Sequence, residues 1–235
     1  EISSIESLGI NQRGGYYENA GALRDMVQNH LLQLVSLVAM EPPAFFDSNS
    51  IRNETVKVLH SLRPFQVSNI DKFVVRGQYS VSKTGSEIAY LSEDNVAADS
   101  KTETYVAMKF FIDNWRWGGV PFYIRTGKRL KSKATEIVLH LKPAPHQLFN
   151  DPSNQRGGNQ LIIRIQPDEG IALDFGMKIP GAGFKVQDAN LHFHYKDLPF
   201  AKISEAYERL LVDCMMGDST LYARDDAVEA SWKFI

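Results

Sequence analysis

The chain has 235 residues, 43% of them apolar and 23% charged, with a net charge of −2 at neutral pH. That length supports a large core in one domain or two, and the near-neutral balance argues against a nucleic-acid partner, which draws a basic excess. The longest apolar run, residues 31–40, is broken by Gln33 and Ser36, stops short of Pro42 and is too short to span a bilayer, which argues against a membrane protein.

Residues 1–17 carry Gly9, Gly14 and Gly15 and read as a loop or linker. A helix is predicted over residues 20–40, ending at Glu41-Pro42-Pro43 because proline cannot continue it. A second is predicted over 51–62, with Ser50 as N-cap and Pro64 beyond its end. The period then changes. Thr104, Val106, Met108, Phe110 and Ile112 alternate with Tyr105, Ala107, Lys109, Phe111 and Asp113, and the same period recurs at 137–142 and 161–166. Such alternation argues for strands with one covered face. Residues 120–124, 171–175 and 191–195 are further strand candidates, 143–158 is the longest weakly patterned loop, and helices return at 204–216 and 225–233. Helices at the ends and strands in the middle predict an α+β fold: a large, mainly antiparallel sheet covered on one face by helices.

The most informative side chain is His30. Leu23, Met26, Val27, Leu31, Leu34, Val35 and Val38 recur at helical spacing and form one apolar stripe. His30, seven residues after Leu23, is expected on that stripe. Asp25 lies five residues earlier, roughly 140° around an α-helix, so the two are expected not to pair. A histidine on an apolar face is either a satisfied core residue or a catalyst, and the polar neighbours Arg24, Asp25, Gln28 and Asn29 favour a site.

A second cluster, Arg125-Thr126-Gly127-Lys128-Arg129-Leu130-Lys131-Ser132-Lys133, follows a predicted strand. Gly127 is expected to allow a sharp turn, after which several cations project from a short segment. Phosphate suits such a segment, and a solvated basic loop is the other reading. Arg164 and Gln166 share a strand face, and the arginine needs an anion or carbonyl partner. His192 and His194 could share a face too, but no further metal ligands stand at motif spacing. Trp115 and Trp117 are expected to pack a hairpin turn. No glycine-rich dinucleotide fingerprint, P-loop or nucleophile elbow occurs. The lone Cys214 excludes an intrachain disulfide and fits a reducing compartment. No signal-peptide pattern is visible, and a chain opening on Glu1 reads as a fragment or a processed product.

Six strings in order carry a resemblance: Arg13-Gly14-Gly15-Tyr16-Tyr17; Arg24-Asp25 with Gln28-Asn29-His30; Trp117-Gly118-Gly119-Val120-Pro121-Phe122; Arg125-Thr126-Gly127-Lys128; Ile165-Gln166-Pro167; and Ala206-Tyr207-Glu208-Arg209-Leu210-Leu211. Together they resemble glucose-6-phosphate dehydrogenase, specifically its C-terminal domain, over nearly the whole chain, 1–235. The resemblance implies oxidation of glucose 6-phosphate at C1 to the lactone with hydride transfer to NADP or NAD. By it, His30 matches the base that takes the C1 hydroxyl proton, Asp25 and Glu6 the carboxylates that bond sugar hydroxyls, Lys128 and Lys133 two basic positions on the substrate, and Gln166 a further substrate-side residue. Lys133 replaces an arginine of some members, so a fork becomes a point charge.

These residues do not include the family's Rossmann coenzyme domain or its Arg-Ile-Asp-His-Tyr-Leu-Gly-Lys-Glu motif, which supplies the partner of the base and part of the phosphate site. The isolated fragment is therefore expected to be inactive, with NADP bound mainly by the missing domain. Arg125 and Arg164 match basic positions of a structural nucleotide site found in some members, whereas Ala134 and Val138 stand where further cations would be. The resemblance also implies a cytoplasmic homodimer or higher homo-oligomer. A non-catalytic phosphosugar-binding module and a purely structural dimerisation domain are the alternatives.

Overall fold

A computed structural model describes residues 1–82, 85, 87–143, 145–146, 158–181, 183–199 and 206–235. Its residues form two compact units, one of residues 2–133 with 204–235, the other of Glu1 with 134–203. Eight strands are found among the described residues, four in each unit, and the α+β class expected from the alternation is what forms.

In the first unit the strands are β1 (Ile2–Ile5), β2 (Val74–Gly77), β3 (Tyr105–Phe111) and β4 (Pro121–Gly127), hydrogen-bonded in the order β2-β3-β4-β1. The period-two pattern becomes burial directly: Val106, Met108 and Phe110 of β3 and Phe122 and Ile124 of β4 are buried, and their neighbours are not. The β2/β3 and β3/β4 pairs are antiparallel, and β1 lies parallel to β4 with Ile2 opposite Ile124 and Ile5 opposite Gly127. This corrects the reading of residues 1–17 as loop. Ile-Ser-Ser-Ile is too short to show alternation, yet Ile2, Ser3 and Ser4 are all buried.

The helices are α1 (Gly14–Ala22), a π-helical segment (Leu23–Leu31), α2 (Leu32–Ala39), α3 (Ser48–His60), α4 (Ala206–Met216) and α5 (Asp225–Phe234). The predicted helix over 20–40 is thus three segments in series. Val27, Leu31, Leu32 and Val35 are fully buried with Ile2, Phe110 and Ile124, so the helices cover one face of this sheet. Asp47, not Ser50, caps α3: its carboxylate accepts the Asn49 and Ser50 N–H groups at 2.9 and 3.0 Å, because the helix starts three residues earlier than expected. Trp117 packs edge-on against Phe122 and its indole N–H donates to the Ala39 carbonyl at 2.9 Å, whereas Trp115 stands fully in solvent. Only one of the two tryptophans packs the turn.

In the second unit β5 (Ala134–His140), β6 (Gln160–Gln166), β7 (Gly170–Lys178) and β8 (Val186–His194) form an antiparallel meander. Arg164 stands opposite Glu136 across the β5/β6 pair. His192 and His194 share a face with ring centroids 5.6 Å apart. Most of the 143–158 loop and the start of the helix expected at residue 204 lie outside the described residues.

Candidate functional site

The parallel β1/β4 pair builds the site. Because Ile5 lies beside Gly127, the next residues, Glu6 and Lys128, leave the two strands side by side. The Glu6 N–H donates to the Gly127 carbonyl at 2.9 Å, and the Leu130 N–H returns to the Glu6 carbonyl at 2.9 Å. Lys128 Nζ donates to the Glu6 carboxylate and lies 5.3 Å over the face of Tyr17. Gly127 is required here for closeness rather than for a turn: a Cβ would fall 2.7 Å from Tyr105 Cδ2. The positive φ belongs to Arg129, at 53°.

Around this pair lies a cleft lined by Glu6, Ile10, Tyr17, Asp25, Lys128 and Lys133, among others. Four of the six residues named from the sequence therefore share one cavity. Two carboxylates and two ammonium groups face a common space, one of the cations, Lys133, being exposed. The other cations of the basic segment do different work. Arg129 turns inward, with Glu87 at 3.2 Å and Glu93 at 3.1 Å, and lies 5.0 Å over Tyr79, whose hydroxyl donates to Glu93 at 2.7 Å. Its own N–H donates to the Leu8 carbonyl, which holds the 8–10 wall of the cleft. Arg125 Nε donates to Ser3 Oγ at 2.9 Å.

Asp25 and His30 come from the π-helical segment. A backbone bonded from i to i+5 winds more loosely than an α-helix, so the 3.6-residue count does not apply within this segment. This corrects one expectation for His30: it is exposed, not on the buried stripe. The 3.6-residue period placed it wrongly because the segment does not have that period. His30 is not among the residues lining the cleft with Asp25; it stands beyond it along the helix. Asp25 accepts the Tyr16 hydroxyl at 2.8 Å, which raises the Tyr16 pKa above its ordinary value, first through that hydrogen bond and then through the carboxylate charge. Gln28, also of this segment, is buried and donates to Ser231 of α5 at 2.8 Å. Gln166 lies in the other unit, exposed at the end of β6.

Sequence reasoning missed Tyr17. Its ring is 2% exposed and forms the floor under Lys128, and its buried hydroxyl has no hydrogen-bond partner among the described residues. Burial, with Asp25, Glu103 and Glu6 nearby, pushes its pKa up, so the phenol is a donor throughout the working pH range. The adjacent Tyr16-Tyr17 pair was a signal, read only as part of a longer string. No group of three metal-ligating side chains is present among the described residues, and no helix among them is long and apolar enough to cross a membrane.

The domain is thus an α+β unit whose cleft brings carboxylates and ammonium groups together. The model of the family described as glucose-6-phosphate dehydrogenase, C-terminal domain, matches residues 1–235. The chain belongs to that family. It is 52% identical to the glucose-6-phosphate 1-dehydrogenase of Aggregatibacter actinomycetemcomitans, 51% to that of Treponema pallidum (strain Nichols) and 49% to that of Bacillus subtilis (strain 168), over its full length in each case. It spans about half of each relative: 47%, 46% and 48%. Among solved structures, a glucose-6-phosphate dehydrogenase in complex with its substrate glucose-6-phosphate superposes with a TM-score of 0.90 at 38% identity, covering 99% of this chain and 47% of that one. The Mycobacterium avium glucose-6-phosphate 1-dehydrogenase gives 0.82 at 37% identity, covering 100% and 47%.

Proposed function

We propose that this chain supplies the substrate-binding half of an enzyme that oxidises glucose 6-phosphate at C1 to 6-phosphoglucono-lactone with hydride transfer to NADP, the first step of the oxidative pentose phosphate pathway. The observation that carries the reading is the convergence of Glu6, Asp25, Lys128 and Lys133 on one cleft in a chain of this family. Lys128 and Lys133 hold the phosphate as point charges. Asp25 and Glu6 accept from the sugar hydroxyls. In the resting arrangement Glu6 is bonded to Lys128, so an arriving phosphate takes over the ammonium group and releases Glu6 to the sugar. His30, exposed and in the same helical segment as Asp25, takes the C1 hydroxyl proton as hydride departs, since imidazole is a ready general base. Gln166, at the end of β6, is a further proposed substrate-side group.

When bound, NADP accepts the hydride. The residues described here contain no glycine-rich strand-to-helix turn to cradle its pyrophosphate, so its binding is assigned to the coenzyme domain outside them. The isolated chain accordingly turns nothing over. A second copy of the chain is the proposed protein partner, with exposed Leu191 and Phe193 on β8 as apolar area for that contact, and the cytoplasm is the proposed location.

The test is His30→Asn in the full-length enzyme. The rate should fall by about 10²–10⁴, the share of a positioned general base, while substrate Kd changes little. The melting temperature should hold, because His30 is exposed. A folded variant with near-normal kcat removes His30 from the mechanism.

A further inference from the structure

Residues 102–104, just before β3, carry none of the roles above, yet each reaches a different part of the frame around the cleft. Thr102 Oγ1 donates to the Glu18 carbonyl of α1 at 2.9 Å. The Glu103 carbonyl accepts the Ala22 N–H at 2.9 Å, and its carboxylate Oε1 accepts the Leu23 N–H at 2.9 Å. The fully buried Thr104 accepts the Lys128 N–H on its carbonyl at 3.0 Å and the Tyr79 N–H on its hydroxyl at 2.9 Å.

The backbone explains why Glu103 is needed. Gly21, with φ 66° and ψ 171°, breaks the helix before the π-helical segment. A new helix therefore starts at Ala22 and Leu23, and its first N–H groups have no partner within it. Glu103 takes both, and its negative charge sits at the positive end of the new helix. The carboxylate also fills the space beside Gly21, where a Cβ would lie 2.7 Å from Oε1. The Glu103 side chain is only 11% exposed, and its other oxygen lies 4.0 Å from Arg76, itself mostly exposed.

We propose that Glu103 is a positioning residue of the dehydrogenase reaction. Supplied from the start of β3, it caps the helix that carries Asp25 and His30 and fixes their register against Lys128, whose backbone the next residue holds. The proposal rests on the functional reading above and adds a residue that touches neither substrate nor coenzyme.

The experiment compares Glu103→Ala and Glu103→Gln in the full-length enzyme, reading kcat and KM for glucose 6-phosphate together with amide hydrogen exchange over residues 22–31. Alanine removes the acceptor; glutamine keeps an amide oxygen for Leu23. In Glu103→Ala, kcat should fall about 10- to 100-fold, the scale of a misplacement near 1 Å. KM should move by no more than about threefold, because Lys128 and Lys133 stay in place. Exchange should rise from Leu23 onward. Glu103→Gln should restore most of both. Should the alanine variant fail to fold, Glu103→Asp, one methylene too short to reach Leu23, takes its place with the same expectation. Undiminished kcat in a variant with raised exchange overturns the proposal, as do equal losses for alanine and glutamine, or a loss confined to KM. The exchange pattern does not depend on turnover, so a failure of His30 as the base and a failure of Glu103 as the cap are read separately.

Discussion

Replacing Lys128 by alanine separates phosphate recognition from mere structure. The side chain is 15% exposed, bonded to Glu6 and laid over Tyr17, so the ammonium group is held in place before any ligand arrives. Its loss removes a charge-assisted hydrogen bond to the phosphate, about 1.5–3 kcal/mol. A second term follows from the geometry. Without Lys128, the Glu6 carboxylate confronts the phosphate dianion, and at a separation of ~6 Å in a water-like dielectric that repulsion is about 1 kcal/mol. The sum, about 2.5–4 kcal/mol, lowers kcat/KM for glucose 6-phosphate by roughly 10²–10³. Glucose, which lacks the dianion, should lose far less. Adding Glu6→Gln to Lys128→Ala should relieve the repulsion and recover about fivefold on the phosphorylated substrate. The assay is steady-state turnover of the full-length enzyme on both sugars. Equal losses on glucose and glucose 6-phosphate would refute the reasoning and make Lys128 a structural residue.

Two further perturbations probe the frame. Gly127→Ala drives a Cβ to 2.7 Å from Tyr105 Cδ2 and 3.2 Å from Leu130 Cδ1; such overpacking costs about 1–3 kcal/mol, so the thermal midpoint should drop, and an unchanged midpoint would show that Tyr105 moves aside freely. Tyr79 is pushed up to about 12, first by burial and then by its hydrogen bond to Glu93. A phenol whose folded value exceeds its free value contributes stability that is complete below the free value, 10.0, and is lost as pH rises towards 12. Denaturant unfolding at stepped alkaline pH should show that decline, and Tyr79→Phe should flatten it; parallel curves for the two proteins would count against the Glu93 bond.

The strands were legible because β3 obeys a period of two with large side chains: Val106, Met108 and Phe110 point one way, and burial follows. The basic segment was legible as a phosphate candidate, but its division was not. Arg129 looks like Lys128 in sequence, and only the approach of Glu87 and Glu93, some forty residues upstream, turns it inward. His30 was placed on the wrong face because apolar spacing reports an α-helical period by default, and nothing in Leu23–Leu31 announces a π-helical one. The segment begins just after the break at Gly21 and is capped by Glu103, and a glutamate within Thr102-Glu103-Thr104-Tyr105 gives no sign of that in the sequence. β1 was invisible for a related reason: its partner is far along the chain and runs parallel, so no hairpin signal marks it.

That parallel pairing also sets when the cleft can exist. Glu6 and Lys128 are 122 residues apart. Joining ends so distant costs about 4 kcal/mol in loop closure before any contact repays it. On a ribosome adding 5–20 residues per second, Glu6 waits roughly 6–24 s for its cation to be synthesised. Until then the carboxylate is an unpaired charge at the end of a strand with no neighbour. No N-terminal portion of the chain that stops before β4 can form the cleft, and the unit closes later still, when α5 arrives and Ser231 meets Gln28, 203 residues away.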